Sequence, residues 1–288
     1  MLPHLRKYIS LLEKNKSKPN TRSFLIIEEH IKDPLLGAKL AFFKTLSSYI
    51  QPLLREYQDN LPLAPFLYTS LRNLIIREME RFVIPDKVSP SLKVLIDENL
   101  LVAKKIDIGI GAKCEIKKCA DVTSVEISRF RNECRKALKC FVERLLERSP
   151  VHYEATKYLT CLDPTIAYTK TGQERFEKLV ILLVKHCIMS SHTGETAQKE
   201  FKMLCSKDEA IEEMKNFKRC KKNSPDSQEE GKVRTFQLDH FWLNLVKKYF
   251  PDGLYGFDTL LKQTYSVSWE VQKWREGFLS TKNVSWTI

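Results

Sequence analysis

The chain reads as a mainly α protein, a multi-helix bundle with at most short β segments. Apolar residues recur at steps of three and four along much of its length. Only nine of its 288 residues are glycine. Breakers carrying proline, such as Asp33-Pro34, Ser149-Pro150 and Asp163-Pro164, divide it at helix-sized intervals.

In chain order, His4 to Leu12 reads as a short basic helix with Leu5, Tyr8, Ile9 and Leu12 on its apolar face. The polar breaker Asn15 to Ser23 follows. Lys32 to Pro85 predicts an antiparallel helical hairpin. Its first helix starts at Asp33-Pro34, where the carboxylate caps free N–H groups and proline occupies the first helical position. Leu36, Leu40, Phe43, Ser47, Ile50, Leu54 and Tyr57 form its predicted stripe, and Pro52 should kink or restart it. Asp59 to Pro65 makes the turn, and Leu67, Leu71, Leu74, Met79 and Phe82 form the second stripe. Ile106, Ile108 and Ile110 alternate with Asp107, Gly109 and Gly111, which suits a short extended stretch.

Ser124 to Arg148 returns to helix, with Ile127, Phe130, Cys134, Leu138, Phe141 and Leu145 on one face and Arg131, Arg135 and Lys139 as a ladder beside it. A solvated flank with a Lys139–Glu143 pair is the plain reading of that ladder, and a row of phosphate contacts is the functional one. Val151 to Leu162 predicts a further helix. Gln173 to Met189 predicts the most buried helix, with His186 packed in the core. Glu195 to Cys220 predicts a polar helix or helix pair held down by Phe201, Leu204 and Met214. The expected organisation is a basic N-terminal helix and arm (1–30), a helical body (31–222), a linker (223–233) and a C-terminal tail (234–288), docked through Phe241, Trp242, Leu245 and Tyr249.

Composition excludes several classes. The longest apolar patch, Leu179 to Val184, is flanked by lysines, so no membrane partner is expected. The eight cysteines match neither a compact disulfide framework nor zinc-ligand spacing, so reduced, mostly buried thiols and no metal are expected. No P-loop, nucleophile elbow or HExxH run is present, and Gly109 to Ala112 is too short for a dinucleotide fingerprint. No cofactor is expected. His152, Cys161 and Asp163 form a nucleophilic set only on paper.

The net charge of +12 is clustered. Met1 to Arg22 holds six Lys/Arg against one acid, while Ser124 to Ser149 and Phe201 to Lys222 each hold seven against four. Residues 223–288 balance at eight against eight. Clustered excess points to an anionic partner, with nucleic acid first among them.

Particular wording adds a resemblance. KDPLLGAKLAFF (32–43), NLPLAPFLYTSL (60–71), RFVIP (81–85), DIGIGA (107–112) and LDHFW (238–242) resemble the helical insertion region of hobo/Activator (hAT) superfamily transposases and of host proteins derived from them. In that family a ribonuclease-H-like core holds metal on three acidic residues, and the insertion interrupts the core before the third. The resemblance covers the stretch from near the start of the insertion to about the third acid. The first two acids lie upstream of what it covers. The family's ERGFS-like motif corresponds to WREGFLS (274–280), where Arg275 occupies the glutamate position and Glu276 the arginine position. A one-residue shift turns a helical side chain by about 100°. Two-metal cleavage also needs several convergent carboxylates. The resemblance therefore implies no catalytic residues and no enzyme activity.

Two functional classes follow. One is a catalytically inactive, transposase-derived protein that binds DNA or another nucleic acid without sequence specificity. Its expected phosphate contacts are Arg6, Lys7, Lys14, Lys16, Lys18 and Arg22 in the arm, Arg131, Arg135 and Lys139 in the ladder, and Lys215, Lys218, Arg219, Lys221 and Lys222 near the linker. The other is a helical scaffold for a protein partner or self-association. A nuclear or cytoplasmic location is expected, with the nucleus favoured by the basic FKRCKK run.

Overall fold

The computed structural model describes residues 2–15, 17–57, 63–89, 92, 96–119, 121–218 and 238–264. Helices dominate, and the only β feature among the described residues is an isolated antiparallel bridge between Val83 and Leu100. The chain divides into two compact units, residues 1–52 with 74–143 and residues 53–73 with 144–288. This division differs from the expected one. It splits the 31–222 body and joins the N-terminal arm to unit 1, because Ile9, Phe24 and Ile31 form a small cluster packed by Leu12 and Leu36. The expected linker lies outside the described residues.

Unit 1 begins with α1 (Leu2–Lys14) and α2 (Arg22–His30), the latter capped by Thr21 Oγ1, which accepts from Phe24 N at 3.3 Å. Helix α3 (Leu36–Glu56) starts two residues after Pro34, with Asp33 Oδ1 accepting from Leu35 N at 2.8 Å, and continues through Pro52 rather than restarting. Its buried face is Leu35, Ala38, Phe42 and Leu46, while Leu40 is 50 % exposed. The expected stripe is thus off by about one residue. Small residues decide the face: a Cβ on Gly37 would lie 2.9 Å from the Glu115 carboxylate, and one on Gly111 would lie 3.4 Å from Ala41 Cβ. In α4 (Ala64–Met79) and the turn after it, all five expected stripe residues are buried.

Beyond α4 the chain is pinned by backbone pairs: Leu101 N donates to Phe82 O at 2.8 Å, Ile84 N to Asn99 O at 2.9 Å, and Asp107 N to Arg81 O at 2.9 Å. Ile106 and Ile108 are buried in this extended stretch, whereas Ile110 opens α5 (Ile110–Lys118) and is 78 % exposed. Gly109 makes the turn at φ +84°, where a Cβ would also meet Thr45 Oγ1 at 2.9 Å. Helix α6 (Ser124–Arg148) has the expected bounds. Thr123 and Glu126 form a capping box at its start: Thr123 Oγ1 accepts from Glu126 N at 3.2 Å, and Glu126 Oε2 accepts from Thr123 N at 2.8 Å. The Thr123 N–H, and the Thr123 hydroxyl at 2.8 Å, donate to the Glu126 carboxylate and hold it below its ordinary range. Thr123→Ala is expected to lower stability by about 1 kcal/mol in urea unfolding.

Unit 2 contains the short helices α7 (Glu154–Tyr158) and α8 (Pro164–Ala167), then α9 (Lys170–Lys185), α10 (Ser191–Leu204), α11 (Asp208–Lys215), α12 (Leu238–Tyr249) and a helical stretch at 255–264. Asp163-Pro164 therefore starts a helix as well as ending the preceding turn, since Asp163 Oδ1 accepts from Thr165 N at 3.0 Å. Phe176 of α9 stacks on Phe201 of α10 with ring centroids 3.9 Å apart, and Phe257 and Trp242 close around them. Phe201, Leu204 and Met214 are buried as expected. Helix α9 buries one face, but Ile181 is 59 % exposed and His186, at its C-terminal end, is exposed rather than packed in the core. At that position the helix has already closed on Leu182 O, leaving the imidazole in solvent.

Candidate nucleic-acid interface

The expected phosphate-binding residues fall into three groups. Arg6, Lys7, Lys14, Arg22 and Lys218 are exposed and have no ion-pair partner among the described residues. Lys18 is held by Glu28 and by Glu13 at 3.5 Å, and Lys215 pairs with Glu212 at 2.7 Å. Lys16, Arg219, Lys221 and Lys222 lie outside the described residues.

The α6 ladder has a different setting from the one its phosphate reading needs. Arg131 Nη1 donates to Lys104 O at 3.0 Å, Arg135 Nη1 donates to Leu101 O at 3.0 Å, and Lys139 binds Asp97 and lies 3.6 Å from Glu143. The hydrogen bond that the Lys139 ammonium donates to the Asp97 carboxylate holds it above its ordinary range. All three cations are half-buried. They fasten residues 97–105, whose carbonyls have few other donors because this stretch contains only isolated 3₁₀ turns.

One step around α6, a shallow groove of about 630 Å³ opens between the helix and Lys104. Ser124, Ser128, Asn132 and Lys136 supply one row at four-residue spacing, and Val125, Arg129 and Glu133 supply the next. Lys104 and Lys136 have no ion partner among the described residues. Arg129 lies 3.6 Å from Glu133, with its side chain 83 % exposed, and Glu133 is also 3.8 Å from Lys39. Three cations thus face one already shared carboxylate, with hydroxyl and amide groups between them. Such a surface can accept phosphate oxygens; it contains no aromatic platform for base stacking and no base-reading fork in a rigid frame. Arg131 carries the link between the two features, since its bond to Lys104 O fixes the backbone that presents the Lys104 ammonium.

The ladder of Arg131, Arg135 and Lys139 lies on a different row of α6 from the residues that line this groove. Arg129 and Lys136 are visible as cations seven residues apart, one heptad on the same helix, whereas Lys104 joins them only through the fold.

No metal cluster of His, Cys, Asp or Glu occurs among the described residues. Of the seven described cysteines, all unpaired, Cys134, Cys161 and Cys205 are buried, Cys119 is half-buried, and Cys114, Cys140 and Cys187 are exposed, so burial is less general than expected. Burial pushes the Cys134 and Cys205 thiols up to about 12 and raises Cys161 as well, which removes the nucleophilic character that the paper set with His152 and Asp163 would need. WREGFLS (274–280) lies outside the described residues. No helix among the described residues is long and apolar enough to cross a membrane. A scan against protein-family models and searches of curated proteins and of solved structures found no match.

Proposed function

We propose that this chain is a transposase-derived, non-catalytic protein that binds the phosphate backbone of nucleic acid without reading sequence. The observation supporting this reading is the groove on α6, where Lys104, Arg129 and Lys136 converge beside Ser128 and Asn132 with only Glu133 opposing them. Arg6, Lys7, Lys14 and Arg22 add a second cationic surface to unit 1. The hAT-like wording of residues 32–112 supports the origin, and the displaced Glu276 supports loss of catalysis. The basic run ending at Lys222 favours the nucleus. A second reading, a helical interaction scaffold, is favoured by the apolar residues exposed on α1 and α2.

Replacing Lys104, Arg129 and Lys136 together with glutamine is expected to weaken binding to a labelled oligonucleotide. It should also reduce the slope of log affinity against log salt by roughly 0.7 to 0.9 for each phosphate that is no longer neutralised. The matched replacement of Arg131, Arg135 and Lys139 should instead lower thermal stability, because it removes charged donors from backbone carbonyls. Unchanged affinity and slope in the first variant would show that the groove does not bind phosphate.

A further inference from the structure

Four charged side chains beside the α6 groove form a relay from one helix of unit 1 to another. Asp33, just before α3, holds Lys39 at 3.0 Å; Lys39 reaches on to Glu133 of α6 at 3.8 Å; and Glu133 lies 3.6 Å from Arg129, four residues earlier on the same helix. The links are unequal. Asp33 is anchored, since its other carboxylate oxygen accepts from Leu35 N at 2.8 Å, and its side chain is the most covered of the four. Both contacts of Glu133 are longer than hydrogen bonds, and its side chain is 42 % exposed. An ion pair of that kind contributes little and exchanges readily.

Glu133 is the one acid among the residues that line the groove, where it stands with Lys104, Arg129 and Lys136. Glu126, seven residues earlier on α6, does not line it, and its carboxylate is taken up by the Thr123 N–H and hydroxyl at 2.8 Å. A phosphate approaching Arg129 therefore meets one carboxylate already there. That carboxylate has a second partner in Lys39, whose ammonium Asp33 holds in place. Resting on the phosphate-binding reading of this groove, we propose that Glu133 is its built-in counter-ion and Lys39 the receiver of that counter-ion. A phosphate oxygen takes the place of Glu133 on Arg129, and Lys39 keeps the displaced carboxylate from opposing the phosphate. Lys39 is thus a positioning residue, which raises affinity without touching the nucleic acid, while Glu133 lowers it.

The test titrates the full chain and its variants into a labelled oligonucleotide at several salt concentrations. Glu133→Gln should bind about two- to fivefold more tightly and with a steeper salt dependence, because Arg129 is then free for phosphate. Lys39→Met should bind about two- to fivefold more weakly. The double variant should match Glu133→Gln alone, since Lys39 then has no carboxylate to receive. If Lys39 instead contacted phosphate directly, its loss would weaken binding equally in both backgrounds, which would overturn its positioning role. Glu147→Gln makes the same charge change about 21 Å along α6 and should leave affinity unchanged. An equal gain there would overturn the exchange in favour of net charge alone. Unchanged affinity of Glu133→Gln beside a weakened Lys104→Gln/Arg129→Gln/Lys136→Gln variant would overturn the exchange but keep the groove as the phosphate site. Unchanged affinity of that triple variant would overturn both.

Discussion

Arg81→Met is expected to destabilise unit 1 by roughly 3–5 kcal/mol, because it leaves a carboxylate buried without its counter-charge. Arg81 Nη1 donates to Glu78 Oε2 at 2.6 Å, with the two residues 5 % and 0 % exposed. Arg81 also donates from Nε to Asp107 O at 3.2 Å and covers the rings of Phe42 and Tyr49 at 5.6 and 5.7 Å. It therefore joins the end of α4 to both α3 and the extended stretch before α5. The pair is incompletely satisfied, since Glu78 Oε1 and Arg81 Nη2 are buried with no hydrogen-bond partner among the described residues. Glu78→Leu combined with Arg81→Met should consequently cost less than Arg81→Met alone.

Acidity gives this prediction a second readout. Burial pushes the Glu78 carboxyl above its ordinary range, and the neighbouring Arg81 charge opposes that rise. A carboxyl whose folded pKa is raised binds its proton more tightly when folded, so its favourable contribution is complete below the unfolded value and is lost as pH rises through the folded one. Without Arg81 the folded value rises further. The stability deficit of Arg81→Met should therefore shrink as pH falls towards the ordinary carboxyl range, measured as the melting-temperature difference from wild type at each pH. A deficit independent of pH would show that the missing packing, rather than the stranded carboxylate, dominates.

Trp242→Ala is expected to cost unit 2 about 3–5 kcal/mol. The indole is fully buried, edge-on to Phe241 and Phe257 at 5.4 and 5.5 Å, and its Nε1 donates to Leu162 O at 3.0 Å. Truncation removes the largest fully buried side chain among the described residues and strands a carbonyl. Trp242→Phe retains most of the volume and should cost about 1–3 kcal/mol, chiefly the unsatisfied carbonyl. Chemical denaturation followed by circular dichroism separates the two. Equal losses would place the whole effect in the hydrogen bond.

The helices were legible where local chemistry and periodicity agreed. Helix α6 begins at a Thr-x-x-Glu box and ends before Ser149-Pro150, so its bounds could be read directly. The α4 stripe was equally plain because Leu67, Leu71, Leu74 and Met79 recur at near-helical steps and all are buried. In α3, two apolar rows compete, and the row with Ala38 and Phe42 is buried because Gly37 and Ala41 permit close approach to α5, a tertiary fact. The same limit applies to the candidate site. Arg131, Arg135 and Lys139 are recognisable as a ladder, but the acceptors that the two arginines meet are backbone carbonyls of residues 101–104, which carry no side-chain signature. His186 shows the converse: an apolar neighbourhood in sequence suggests burial, but its place at the end of α9 leaves it in solvent.

Binding to the phosphate backbone without catalysis is tested most directly by titrating the purified chain into fluorescent single-stranded and duplex DNA of unrelated sequences, at several salt concentrations and with Mg²⁺ present. The predicted result is binding that weakens steeply with salt, differs little between sequences and leaves every strand intact. Absence of binding at low salt would contradict it and leave the clustered charge without a phosphate partner, while Mg²⁺-dependent cleavage abolished by Glu276→Gln would contradict its non-catalytic character.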